Sequence, residues 1–204
     1  MILKIFGNLF DKRRKLIITL NLKQGDVCID CGANVGYVTE ILVKKGCIVY
    51  AFESNPYAFE ILNKKFERYS NVYLYRKAVW NRKTTRKLYL HKKSDENNVL
   101  WSTASSIKQK KVNINKNNYL NIEIVNLSDF IKRLGEKIKL LKMDIEGSGI
   151  EVLNSLIDND LTKEIDYIFV ETHDNKNNFL DKSTDKLRKT IRKSHLGNIY
   201  LDWI

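Results

Sequence analysis

The chain is short of proline, cysteine and long apolar runs. Pro56 is the single proline among 204 residues, so no proline-rich linker interrupts it. No apolar stretch approaches the roughly 18 residues of a membrane span. Three cysteines, Cys28, Cys31 and Cys47, are too few for a disulfide framework. Cys28 and Cys31 have zinc-like spacing, but no second ligand pair follows. Residues three apart on a strand face opposite sides, so buried reduced thiols are expected. A secretory leader is not expected: Met1 to Phe10 is mildly apolar, and the basic cluster Lys12 to Lys15 follows it instead of preceding it. The expected location is the cytoplasm. Residues 1–15 are an alternative contact with a membrane surface, because Ile2, Ile5, Phe6, Leu9 and Phe10 fall on one helical face.

Acidic residues are outnumbered, 24 against 36 basic ones, for a net charge of +12. Lysine supplies 27 of the basic residues, alongside abundant asparagine and isoleucine, a mixture that AT-rich coding gives without selection for a polyanion. An acidic glycan, an anionic membrane or nucleic acid is the alternative reading. With 43% hydrophobic residues the chain suffices for one domain with a full core. We divide it into an N-terminal helical segment, 1–24, and a main domain, 25–204.

Apolar runs alternate with helical periodicity. Val27–Ile29, Ile48–Phe52, Val72–Val79, Ile122–Val125, Ile138–Met143, Ile165–Val170 and Ile199–Leu201 read as strands, and Lys87–His91 as a hairpin arm. Helices are expected from Val35 to Leu42, after the cap Asn55, after the cap Ser128 as far as Gly135, over Ile150–Ile157 and over Ser183–Lys193. The polar stretch Ser94–Asn118 reads as a long loop; within it, Asn97–Ile107 combines serines with Trp101, as a sugar-stacking surface would. The alternation implies an α/β, doubly wound, mostly parallel sheet with helices on both faces. Ligands on such sheets bind at the carboxyl ends of the strands.

The first strand ends in Asp30-x-Gly32-x-Asn34-x-Gly36, a turn that lets a ligand approach the backbone. Glu53 follows Asp30 by 23 residues, placed to accept hydrogen bonds from a ribose diol. Counted from Gly32, the dinucleotide fingerprint would need glycine where Asn34 and Tyr37 stand, and no phosphate loop is present. S-adenosylmethionine has no phosphate and carries a cationic sulfonium, so it suits an acidic loop best; a nicotinamide dinucleotide is the alternative.

Asp144 and Glu146, two residues apart after the Ile138–Met143 strand, would point to one side if the extended geometry persists, as a general base or substrate ligand. Capping the following helix is the structural alternative. Glu171 and His173 end the next strand; His173 has a pKa suited to a base and Glu171 could orient it. Asp144, Glu171, His173 and Asp174 would serve as Mg²⁺ ligands in a less favoured reading.

"DCGANVGYVTE", "FESNPYAFEILNKKF", "KAVWN", "LLKMDIEGSGIEVL" and "VETH", in that order, resemble the FkbM family of S-adenosylmethionine-dependent methyltransferases over roughly Gly25 to Trp203. The resemblance implies the class I methyltransferase (Rossmann-like) fold and O-methylation of a saccharide, glycan or other small molecule. It implies that Asp30, Gly32, Asn34 and Gly36 line the methionine part of the cofactor. Glu53 would hold the ribose, Ser54 and Asn55 the adenine edge, and Ala78 and Val79 its face. An RNA or other nucleic-acid methyltransferase is the rival, encouraged by the charge. It is disfavoured because "SNPY" follows the second strand instead of the fourth, and "VETH" offers no lysine at the fifth strand's end.

Overall fold

The computed structural model describes residues 15–91, 114–145, 148–172 and 178–201. Along the chain run β1 (Val27–Cys31), α1 (Tyr37–Lys44), β2 (Ile48–Phe52), α2 (Pro56–Phe66), β3 (Val72–Tyr75), β4 (Ala78–Trp80), β5 (Thr84–His91) and β6 (Ile114–Asn126). Then come α3 (Leu127–Leu134), β7 (Ile138–Met143), α4 (Gly149–Asp158), β8 (Ile165–Val170), α5 (Asn178–Lys193) and β9 (Ile199–Leu201). The main sheet has the order β3-β2-β1-β7-β8-β9, and every neighbouring pair is parallel. The chain winds outward from β1 to β3, then returns to β7 and winds the other way. That reversal puts the switch point between β1 and β7, where parallel sheets bind ligands.

Two cores sandwich the sheet, as the period of two along a strand requires. Val27, Ile29 and Cys31 of β1 face one core with Leu127 and Ile131 of α3, Ile150, Val152, Leu153 and Leu156 of α4, and Leu187 of α5. Cys28 faces the other, with Val38, Ile41 and Leu42 of α1 and Leu62 and Phe66 of α2. A fully buried Ile29 is worth about 1.5–3 kcal/mol relative to exposure. Cys28 and Cys31 therefore lie on opposite faces, as buried free thiols; burial drives the Cys31 thiol upward. Ile17 and Leu22 join the α1/α2 core, so this part of the N-terminal segment packs on the main domain.

Asn55 caps α2, accepting from the Tyr57 and Ala58 amides, with Pro56 behind it in the first turn. Several expectations need correcting. The apolar run Val72–Val79 is two strands: β3 ends the main sheet, whereas β4 joins a second sheet of order β4-β6-β5. The arm near Lys87 is the longer β5, antiparallel to β6, which itself spans Ile114–Asn126 instead of Ile122–Val125 alone. The expected loop Ser94–Asn118 therefore overlaps β6 from Ile114; its residues 94–113, including Asn97–Ile107, lie outside the described residues. The cap of α3 is Asn126, not Ser128: its side chain accepts from the Ser128 and Asp129 amides. Among the described residues no helix is long and apolar enough to cross a membrane. Residues 1–14 lie outside them.

Candidate active site

Beyond β1 the backbone turns through three left-handed residues, Gly32 (φ 78°), Asn34 (φ 52°) and Gly36 (φ 86°). Two neighbouring strand ends pin this turn. The Gly32 and Ala33 amides both donate to the Phe52 carbonyl at 2.9 Å, and the Asp144 amide donates to the Cys31 carbonyl at 3.0 Å. A Cβ on Gly32 would lie 2.1 Å from the Asp144 carbonyl oxygen, so no other residue fits there without moving β7's end. Gly36 begins α1 against Leu62 and Phe66, whose atoms a Cβ would meet at 2.8 and 2.5 Å.

Asp30 is placed otherwise than expected. Its side chain has no exposed surface: Oδ2 accepts from the Thr39 hydroxyl at 2.8 Å, and Oδ1 lies 3.1 Å from Lys142 Nζ. The latter is an ion pair whose alignment falls short of a hydrogen bond. Lys142, 4% exposed, also donates to the carbonyls of Gly32 at 2.8 Å and Cys31 at 3.4 Å. Asp30 thus supports the turn from beneath instead of lining it. Burial alone would lower the Lys142 pKa, but Asp30 and Asp144 together outweigh it and hold the ammonium above its ordinary value. The sequence reading missed Lys142. Its signal is a charge in the wholly buried stretch Leu140–Met143 of β7, at a position facing the α1/α2 core.

Glu53 sits where β2 ends, 8% exposed. Its Oε2 accepts from the Asn34 amide at 2.9 Å and its Oε1 from the Asn55 amide at 2.6 Å. The carboxylate therefore ties the β1 turn to the start of α2, and its roughly four lone-pair sites exceed the backbone amides that reach it from Asn34, Ser54 and Asn55. Burial pushes its pKa up, opposed in part by those amides and by Lys142. Ser54 is half-buried beside it. Asn55 is 2% exposed and its side-chain oxygen is committed to the cap of α2, which leaves Ser54 as the member of that pair with the more accessible side chain. Of the residues expected to face an adenine ring, Ala78 is half-buried, whereas Val79 is 2% exposed and packs in the core.

Asp144 and Glu171, both half-buried, follow the ends of adjacent strands β7 and β8, and the Glu171 amide donates to the Met143 carbonyl at 2.9 Å. The start of α4 closes on them, since a Cβ on Gly149 would lie 3.5 Å from the Glu171 carbonyl oxygen. Glu53, Asp144 and Glu171 thus follow the carboxyl ends of β2, β7 and β8 along one edge of the sheet, with Gly32 packed against the Asp144 backbone. Glu146, His173 and Asp174 lie outside the described residues. Among the described residues no group of three or more acidic, histidine or cysteine side chains is placed to hold a metal ion. A cleft of about 300 Å³, lined by Tyr50, Phe52, Tyr75, Lys77 and Phe130 among others, lies beneath α3, and none of the candidate carboxylates borders it.

The donor set fits S-adenosylmethionine better than a dinucleotide. The buried carboxylate of Glu53 keeps acceptor capacity for a diol, and the Asp30–Lys142 pair is neutral overall beneath the turn. No side chain among Gly32, Asn34 and Gly36 supplies positive charge for a pyrophosphate.

Residues 30–200 match the model of the methyltransferase FkbM domain. A protein named methyltransferase 1 from Beauveria bassiana is 25% identical over 170 residues, covering 76% of this chain and 68% of that protein. Ribosomal RNA small subunit methyltransferase A from Borreliella burgdorferi is 39% identical over 62 residues, covering 30% of this chain and 22% of that protein. A solved methyltransferase FkbM from Methylobacillus flagellatus superposes with a TM-score of 0.47 at 18% identity, covering 71% of this chain and 32% of that one. The chain thus spans about two thirds of the fungal relative and under a third of the bacterial structure. With the family model covering most of its length, the chain belongs to the FkbM methyltransferase family.

Proposed function

We propose that this methyltransferase transfers the methyl group of S-adenosylmethionine to a hydroxyl of a saccharide or other small molecule. The observation that carries the reading is Glu53: a buried carboxylate, fixed by two backbone amides, with acceptor capacity left for a ribose diol beside a glycine turn. When bound, the cofactor supplies a methyl group already activated by its sulfonium. Glu53 holds the ribose hydroxyls; Gly32, Asn34 and Gly36 let the backbone approach the methionine part; Ser54 and Ala78 lie toward the adenine. Asp30 is neutralised by Lys142, so the negative potential that favours a cationic ligand comes from Glu53, Asp144 and Glu171.

An alcohol is a weak nucleophile until its proton leaves, and a positioned base is worth about 10²–10⁴-fold. Asp144 is the described carboxylate best placed for that task, since its backbone is packed against Gly32. Glu171, one strand away, orients the acceptor. His173 and Glu146 remain candidates for the same work from the segments that adjoin these two. Orientation of the acceptor contributes further, several kcal/mol when the oxygen is held about 3–3.5 Å from the methyl carbon.

A nucleic-acid acceptor is the second reading, favoured by the +12 charge and by the 62-residue likeness to a ribosomal RNA methyltransferase. Radiolabelled methyl transfer to total RNA and to isolated glycans separates the two; label confined to RNA overturns the saccharide reading. We further propose a cytoplasmic protein whose residues 1–15 touch a membrane surface. Unchanged liposome co-sedimentation after their deletion removes that contact.

A further inference from the structure

The small sheet carries a cationic cluster that the cofactor site does not use. Trp80 ends β4 at 8% exposure, and the guanidinium carbons of Arg82 and Arg86 lie 4.5 and 4.6 Å from the centroid of its ring. Both arginines are exposed, and among the described residues neither guanidinium has an ion pair or a hydrogen bond. The indole N–H of Trp80 donates to Glu151 Oε2, in the first turn of α4. That turn begins at Gly149, which packs against Val170 and the Glu171 carbonyl. Two residues of helix advance only about 3 Å along its axis, so Trp80 is fastened beside the edge that carries Glu171 and Asp144.

Two like charges converge here on one indole. An exposed cation–π contact stabilises each guanidinium only weakly, and their mutual repulsion opposes it. Each guanidinium presents a planar fork of N–H donors that matches a carboxylate or phosphoryl group in a bidentate fashion. An oxyanion between or beside them relieves the repulsion and uses the donors. A neutral sugar stacked on Trp80 fits less well, because the ring is buried and its surroundings are taken by the guanidiniums. Lys87 over the Tyr119 ring, elsewhere on the same sheet, is a single pair and lacks this convergence.

We propose that Arg82 and Arg86, held on Trp80 beside the first turn of α4, form a subsite for a carboxylate or phosphoryl group of the acceptor. The word acceptor rests on the methyl-transfer reading above; the anion site itself does not. The test is an NMR titration of the full chain, following the Trp80 indole N–H and the Arg82 and Arg86 Nε–H signals. The probes are glucuronate and glucose 6-phosphate, with glucose and matched KCl as controls. A saturable shift from one or both anions, absent with glucose and KCl, is expected, and the anion that responds names the group. Arg82→Gln and Arg86→Gln should each weaken it roughly tenfold or more, with the backbone spectrum otherwise preserved. No saturable shift from either anion, a shift equalled by KCl, or one unchanged in both variants overturns the proposal. Calorimetry with S-adenosylmethionine on the same samples keeps the two readings apart. Cofactor binding unaltered by the substitutions is expected, and a wild-type protein that ignores the cofactor removes the methyl-donor reading while the anion result stands.

Discussion

Replacing Lys142 by methionine removes a buried ammonium and strands its partner. The two side chains are 5% and 0% exposed, so the Asp30 carboxylate would keep the Thr39 hydroxyl as its remaining described donor, and the Gly32 carbonyl would lose the 2.8 Å contact that holds the turn. Breaking such a pair by deleting one member costs about 3–5 kcal/mol. With a urea slope of about 2–3 kcal/mol/M, the midpoint should fall by roughly 1–2.5 M. Adding Asp30→Asn removes the uncompensated charge, so the double variant should cost less than the sum of the singles by about 2–3 kcal/mol. The pH sign follows from the raised Lys142 value. Its contribution is fully present below the ordinary lysine pKa of about 10.5 and is lost only as pH climbs through the raised one. The gap between wild type and Lys142→Met, measured by urea denaturation, should therefore stay flat between about pH 6 and 9. A cost under about 1 kcal/mol, or strict additivity with Asp30→Asn, would refute the buried-clamp reasoning.

Glu53→Ala should weaken S-adenosylmethionine binding by about ten- to a hundredfold, the worth of hydrogen bonds to a charged group, as read by calorimetry. Because burial raises the Glu53 pKa in the free protein and a diol favours the ionised form, wild-type affinity should fall as pH drops through the raised Glu53 value, above the ordinary carboxylate range. Binding measured from about pH 4.5 to 8 checks this, and a pH-independent affinity contradicts it. Gly32→Ala places a methyl 2.1 Å from the Asp144 carbonyl oxygen at a φ of 78°, so a loss of about 2 kcal/mol or more is expected in thermal unfolding, together with weaker cofactor binding. Asp144→Ala should leave cofactor affinity within a few-fold and reduce turnover by about 10²-fold or more; an undiminished rate removes Asp144 from the chemistry.

Much of this architecture was legible because several signals coincided. The buried run into Asp30, the glycine turn, and Asn55–Pro56 after the next strand mark elements that appear nearly residue for residue. The failures have local causes. Val72–Val79 carries one uninterrupted β-like character, and nothing in it announces that the chain leaves one sheet for another after Tyr75. Asn126 and Ser128 are both good cap formers two residues apart, and only the backbone geometry chooses between them. Asn115 to Asn118, just inside the start of β6, are asparagine and lysine of low strand preference, and the strand is held by its long pairing with β5. The role of Lys142 was least visible, since its partner Asp30 lies 112 positions earlier and only the parallel register of β1 and β7 brings them together. The same register turns Asp30 inward and leaves ligand contact to the Gly32 turn and Glu53.

The central claim is that the edge of β1 and β2 holds a sulfonium nucleoside and not a pyrophosphate. Calorimetric titration of the wild-type chain and of Glu53→Ala, with S-adenosylmethionine and with a nicotinamide dinucleotide in parallel, tests it most directly. Stoichiometric binding of S-adenosylmethionine that weakens sharply in the variant is expected, with no heat from the dinucleotide. Dinucleotide binding by a protein that leaves S-adenosylmethionine free in solution would contradict it.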